Sequence, residues 1–193
     1  MGLKLITAPA GEPISLDEAK THLRVTHDDD DVLIDLAIRA AIKSAESQTR
    51  RALVTQTWEL MLDRFPQHGA AINIAKPPLQ SVSFIKYIDI DGVLQTWAAE
   101  NYKVDTVTEP GRIVPSYGKC WPCTRSEINA ITIRFVCGYG EEDAIPEDIC
   151  SWMLLKIGAL YEHKEEIAYG QVSELPKSFV DCLLDPYRVY TIC

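Results

Sequence analysis

A long helical stretch constrains this fold more than any other feature. Residues 28–53 open with four consecutive aspartates and close on Arg50 and Arg51. Acids at the start of a helix and bases at its end oppose the partial charges of the helix macrodipole. Between them, apolar residues recur every three or four positions in two adjoining stripes: Leu33, Ala37, Ala40 and Ala41, and Ile34, Ile38, Ile42 and Ala45. The pattern predicts a helix that is covered on more than one side.

The alanines on this helix indicate close packing, because small side chains let a second helix approach. The cover comes either from the rest of the chain or from a neighbouring copy of it. The excess apolar width leads us to predict a subunit interface on this helix, formed by Leu33, Ala37, Ala40, Ala41 and Ala45.

Short motifs before and after this stretch predict two further helices. The first dozen residues read as an extended lead-in. Ser15 and Glu18 match a capping box, which predicts a short helix ending near Leu23. Thr26 or one of the first aspartates is expected to cap the long helix. A third helix is expected after Pro146, a residue that suits the first helical position.

The middle of the chain, residues 54–136, alternates apolar and polar residues in short runs separated by turn residues. This pattern predicts an antiparallel meander with a hairpin at Asp91 and Gly92. The predicted fold class is therefore α+β, a small helical bundle carrying an inserted antiparallel β-rich subdomain. Residues 1–53 and 141–193 are assigned to the bundle and residues 54–140 to the insertion. Near the C-terminus we expect a loop over residues 165–175 and a last short helix from Pro176.

Composition excludes several functional classes. The net charge of −9 argues against a protein that binds nucleic acid by neutralising phosphates. No apolar run is long enough to cross a bilayer, and no signal peptide is evident, so we expect no membrane partner and synthesis inside a cell. Without a secretory context, the six cysteines do not indicate a disulfide framework.

Cys120 and Cys123 provide the sharpest chemical motif, a C-x-x-C pair with Pro122 before the second cysteine. A thiol-redox protein using this pair is the alternative function. That chemistry requires the first cysteine at a helix N-terminus after a strand, a context the flanking sequence does not predict. The other interpretation is a loop with two thiols in which Trp121 packs on the sheet. A zinc site would need a second close pair of ligands, which is missing.

No other motif predicts catalysis. Residues 28–31 lack the alternating ligands, central glycine and terminal glutamate of a calcium loop, so capping and a solvated acidic surface are expected there. The four histidines have no metal-ligand spacing, and neither a phosphate loop nor a nucleophile motif is present. We therefore predict no enzyme activity, no cofactor and no metal.

The order of short motifs along nearly the whole chain resembles the head–tail connector proteins, also called head-completion or adaptor proteins, of long-tailed double-stranded DNA phages and prophages. The motifs are the following stretches: 14–25 (ISLDEAKTHLRV), the acidic turn with its alanine-rich helix, 55–58 (TQTW), 62–66 (LDRFP), 78–82 (PLQSV), 87–92 (YIDIDG), 102–105 (YKVD), 121–122 (WP), 138–140 (GYG) and 145–146 (IP). That family pattern does not require cysteines beside Trp121, so Cys120 and Cys123 are a departure from it.

The resemblance implies a structural role in virion assembly. It implies a ring of identical subunits, matching the portal's twelve-fold symmetry, that docks beneath the portal and meets the tail or a further head-completion protein. Such a ring extends the channel through which packaged DNA passes without specific binding. The implied location is the head–tail junction of the virion, after synthesis in the bacterial host cytoplasm.

Overall fold

The computed structural model describes residues 2–162, 180 and 182–190. The chain divides into two compact units. A β unit comprises residues 1–10 and 54–139, and a helical unit comprises residues 11–53 and 140–193. The predicted loop over residues 165–175 and most of the helix predicted from Pro176 lie outside the described residues.

Three α-helices build the described part of the helical unit: α1 (Leu16–Leu23), α2 (Asp31–Thr49) and α3 (Glu147–Glu162). Both α1 and α3 pack against α2. Their shared core consists of fully or nearly fully buried apolar side chains: Ala19, Ile34, Ile38, Ala41, Ala45, Ile149, Trp152, Met153 and Ile157. Within the described residues no helix has the length and apolar character that a membrane crossing requires.

The start of α1 confirms the predicted capping box. The Ser15 side chain accepts a hydrogen bond from the Glu18 backbone N–H, while the Glu18 carboxylate accepts one from the Ser15 backbone N–H at 2.8 Å. Two of the backbone donors left unpaired at a helix start are thereby satisfied. The bond from the Ser15 backbone N–H, together with one that the Ser15 hydroxyl donates to the same carboxylate, lowers the pKa of the Glu18 carboxyl.

The ends of α2 differ from the prediction. Asp30 occupies the cap position, but its side chain makes no capping hydrogen bond. The helix stops at Thr49, and Arg50 follows in the left-handed conformation with φ 59°. The expected basic finish is therefore wrong, because both arginines lie beyond the last turn. Arg51 instead donates a 2.6 Å hydrogen bond to the backbone carbonyl of Tyr187.

Antiparallel strands build the β unit: β1 (Gly2–Thr7), β2 (Gln56–Leu62), β3 (Ile72–Asn73), β4 (Leu79–Ile88), β5 (Leu94–Trp97), β6 (Tyr102–Asp105), β7 (Arg112–Pro115) and β8 (Ile131–Cys137). A five-stranded sheet has the order β1-β2-β8-β4-β5, and a three-stranded sheet has the order β3-β7-β6. Helices at both ends of the chain and antiparallel sheets between them confirm the predicted α+β class.

The predicted meander is wrong because β8 pairs with both β2 and β4. This pairing makes β8 the central strand of the five. Its alternate residues Ile131, Ile133 and Phe135 are therefore completely buried. The predicted lead-in is also a strand, since Gly2 pairs with Met61 and Leu5 with Trp58 at the edge of the same sheet. The hairpin at Asp91 and Gly92 joins β4 to β5.

Candidate subunit-contact surfaces

The five residues predicted for a subunit interface lie on different sides of α2. Ala37, Ala41 and Ala45 are buried in the core of the helical unit, at 7%, 0% and 0% exposure. Leu33 is half-buried and Ala40 is exposed. Most of the predicted stripe is therefore covered by the chain itself, and the surface open to a neighbouring subunit is the opposite face of the helix.

That opposite face carries a second apolar row. Val32 is 84% exposed, Leu36 is 62% exposed, and Ala40 continues the row four residues later. The spacing i, i+4, i+8 places all three on one side of a helix. Arg39 and Lys43 project from the same side and are also exposed. We call these five residues the α2 ridge. Sequence reasoning missed it because the two basic residues interrupt its apolar pattern.

The aspartate run before α2 connects helices. The Lys20 ammonium on α1 lies 2.6 Å from the Asp28 carboxylate and 2.7 Å from that of Asp31. The hydrogen bonds to Asp28 and Asp31 raise the pKa of Lys20 to about 12, and the bond from Lys20 lowers the pKa of the Asp28 carboxyl. These residues fix the connection between α1 and α2, a role beyond the capping that the sequence predicted.

Asp30 performs a similar task toward α3. The Tyr161 hydroxyl donates a 2.5 Å hydrogen bond to the Asp30 carboxylate, which raises the pKa of Tyr161 because a phenolate there would face a negative charge. Across residues 2–162, 180 and 182–190, no three His, Cys, Asp or Glu side chains are grouped to hold a metal ion.

A groove of about 690 Å³ opens between α1 and the start of α3. Ile14, Ile145 and Leu154 are among its apolar lining residues. Four carboxylates also line it: Asp17, Glu18, Glu142 and Asp143. Glu142 and Asp143 lie in the short 3-10 turn Glu142–Ala144 and are exposed. We call this feature the acidic groove.

Charge is distributed unevenly between the two units. Residues 11–53 and 140–193 contain 20 Asp and Glu against 10 Lys and Arg, whereas residues 1–10 and 54–139 contain 8 against 9. The helical unit therefore carries the whole acidic excess of the chain. Like-charge repulsion disfavours contact between two such units unless a basic group lies at the contact.

Part of the chain matches a known protein family. Residues 13–88 match the model of the phage gp6-like head-tail connector proteins. The matched segment contains α1, α2 and strands β2 to β4. The resemblance predicted from the sequence is confirmed. The match supports the structural head–tail connector role that the resemblance implies.

Solved structures show the same fold over the whole chain. Matching chains come from the neck of an empty gene transfer agent particle computed with C6 symmetry, from the virion of the native particle, and from the native neck computed with C12 symmetry. Each is 23% identical, each alignment covers 100% of this chain and 98% of the other, and the TM-scores are 0.79, 0.80 and 0.80. No curated protein matched the sequence.

The cysteine pair lies in a setting that does not match a redox motif. Residues 116–130 form neither helix nor strand, and both Cys120 and Cys123 are exposed free thiols. A reactive C-x-x-C pair depends on a helix N-terminus to stabilise its thiolate, and this loop has none. The thiol-redox alternative therefore gains no support from the local structure.

Trp121, between the two cysteines, is the anchor of this loop. Its ring stacks on Phe65 with centroids 4.8 Å apart and lies 4.8 Å from the ring of Trp97. Its indole N–H donates a 2.9 Å hydrogen bond to the Ala70 carbonyl. The packing of Trp121 on the β unit, expected as the alternative to redox chemistry, is observed.

Proposed function

We propose that this protein assembles into a ring beneath the portal, extends the DNA channel and joins the head to the tail. The observation that carries the proposal is the family match over residues 13–88. Additional support comes from the fold, which is similar to that of chains from the neck of a gene transfer agent particle.

The partners follow from this position. The ring contacts the portal on one side and the tail, or a further head-completion protein, on the other. The C12 symmetry with which one matched neck was computed supports a ring of twelve subunits, and the C6 symmetry of the other is compatible with it. The protein reaches the head–tail junction of the virion after synthesis in the bacterial host cytoplasm and performs no catalysis.

Subunit contact in the ring involves the exposed side of α2. Of the residues predicted for this contact, Ala40 lies on the α2 ridge and half-buried Leu33 follows directly after Val32. The other three, Ala37, Ala41 and Ala45, are buried inside the helical unit. Val32 and Leu36 replace them as the apolar contact residues, because large exposed apolar side chains in a row mark protein-contact surfaces.

Electron microscopy of the purified protein, alone and mixed with purified portal rings, tests the proposal. The expected result is rings that stack coaxially on the portal. Sedimentation of the same mixtures should show a complex larger than either component. A protein that stays monomeric in both samples and does not bind the portal would overturn the proposed function.

A further inference from the structure

We propose that the α2 ridge of one copy docks into the acidic groove of the next copy, and that this contact repeats around the ring. The inference rests on the proposed ring function and assigns the two halves of its subunit interface. Its occupant is a second copy of this chain, because the ridge and the groove both carry apolar residues and bear opposite charges.

The ridge offers apolar surface next to positive charges. Val32, Leu36 and Ala40 form a row along the outer side of α2. Lys43 lies on the same side and has no ion-pair partner among the described residues, whereas Arg39 pairs with Asp35 one turn earlier. The ridge thus combines apolar side chains with two basic groups on the outside of an otherwise acidic unit.

The groove combines apolar residues with negative charges. Its apolar lining residues Ile14, Ile145 and Leu154 accept apolar side chains, and Glu142 and Asp143 lie where they can meet basic ones. Glu142 and Asp143 show no ion pair among residues 2–162, 180 and 182–190. Seating the ridge here removes apolar surface from water and pairs charges on both partners.

The two surfaces lie on different sides of the helical unit. The ridge faces away from the side of α2 on which α1 and α3 pack, and the groove is lined by α1 and by the start of α3. One copy therefore uses its ridge toward one neighbour and its groove toward the other. Such head-to-tail contact generates closed rings when the rotation per subunit closes.

Charge-reversal variants test the pairing. The first variant, Arg39→Glu with Lys43→Glu, changes only the ridge. The second, Glu142→Lys with Asp143→Lys, changes only the groove, and a third chain carries all four substitutions. Each position is exposed, so circular dichroism and the urea midpoint should stay close to those of the wild type. Lys103→Glu with Lys119→Glu serves as a control, because it changes the net charge as the first variant does but on the β unit.

Assembly is measured by sedimentation velocity and electron microscopy, with and without portal rings. Each double variant should weaken subunit association at least tenfold, while the control should assemble normally. The two double variants mixed together should form rings in which they alternate, because one junction joins the two wild-type surfaces and the next joins the two charge-reversed surfaces. The chain with all four substitutions should recover rings through the exchanged charges.

Two outcomes overturn the inference, and they are distinguishable from failure of the ring itself. If the wild type forms rings and both double variants form them equally well, the ring function stands and its interface lies elsewhere. If each double variant fails but the fourfold chain does not recover, the ridge and the groove meet other partners. If the wild type forms no ring on its own or on portals, the proposed function fails first.

Discussion

Lys20 connects α1 to the start of α2 through two carboxylates rather than one. Replacing it by methionine keeps most of the side-chain volume but leaves Asp28 and Asp31 facing each other without a cation. We expect Lys20→Met to lower the urea midpoint at pH 7. The matched control is Lys119→Met, on the exposed loop after β7, which should leave the midpoint unchanged.

The stability difference between the wild type and Lys20→Met should depend on pH, because folding shifts the pKa values of both Asp28 and Lys20. The folded state lowers the pKa of Asp28, so its stabilisation is complete above the ordinary value of 3.8 and is lost as the pH falls through the lower folded value. The folded state raises the pKa of Lys20 from 10.5 to about 12, so that stabilisation is complete below pH 10.5 and is lost as the pH rises through about 12. The gap between wild type and Lys20→Met should therefore be widest between these limits and shrink in acid. A gap that grows below pH 3.8 would contradict the assignment.

We expect Trp121, and not the two thiols beside it, to hold the cysteine loop on the β unit. Trp121→Ala removes two ring contacts and a hydrogen bond. Truncating a buried aromatic side chain costs about 3–5 kcal/mol of unfolding free energy, and we expect the lower end of this range because Trp121 is only half-buried. Cys120→Ser with Cys123→Ser should change neither the unfolding free energy nor portal binding. Urea denaturation and portal co-sedimentation measure both. Loss of function in the double serine variant with intact folding would restore a role for the thiols.

Adjacent alanines on α2 separate its core side from its outer side. Ala41→Glu places a carboxylate at a position with 0% exposure, whereas Ala40→Glu points the same group into solvent. Because an unpaired buried charge is among the most destabilising changes known, we expect Ala41→Glu to unfold the helical unit. Ala40→Glu should keep the helical circular dichroism signal and weaken ring assembly. Equal stability of the two variants would show that α2 is oriented differently.

Local signals in the sequence predicted most elements. The capping box at Ser15, the hairpin at Gly92 and the alternation in β8 each depend on neighbours within a few residues, and all three appear in the structure. The position of β8 between β2 and β4 depends on pairing across about fifty to eighty residues, which alternation does not encode. Strand β1 was missed for a related reason, since a short edge strand draws its stability from its partner.

The candidate site was only half predictable. Both predicted stripes of α2 contribute buried residues, and nothing in the pattern says whether α1 and α3 or a neighbouring subunit will cover them. The outer row of Val32, Leu36 and Ala40 was obscured by Arg39 and Lys43, which lower its apolar content. The acidic groove combines residues from α1 and from the start of α3, more than a hundred positions apart, and no local pattern encodes that neighbourhood.

The charge of the whole molecule leads to a prediction about DNA. The protein has 28 acidic and 19 basic residues, and the helical unit holds the entire excess of acids. Non-specific DNA affinity comes from cations that displace counterions from phosphates, so a channel built from such subunits should repel the duplex rather than hold it. We expect a short duplex to show no mobility shift at about 150 mM salt, for the free subunit and for the assembled ring alike. In the free subunit, whose acidic groove is open, replacing Glu141, Glu142 and Asp143 by lysine should create weak, steeply salt-dependent binding, which would identify charge repulsion as the cause. Tight binding by the wild type that persists at this salt concentration would contradict a channel through which DNA passes freely.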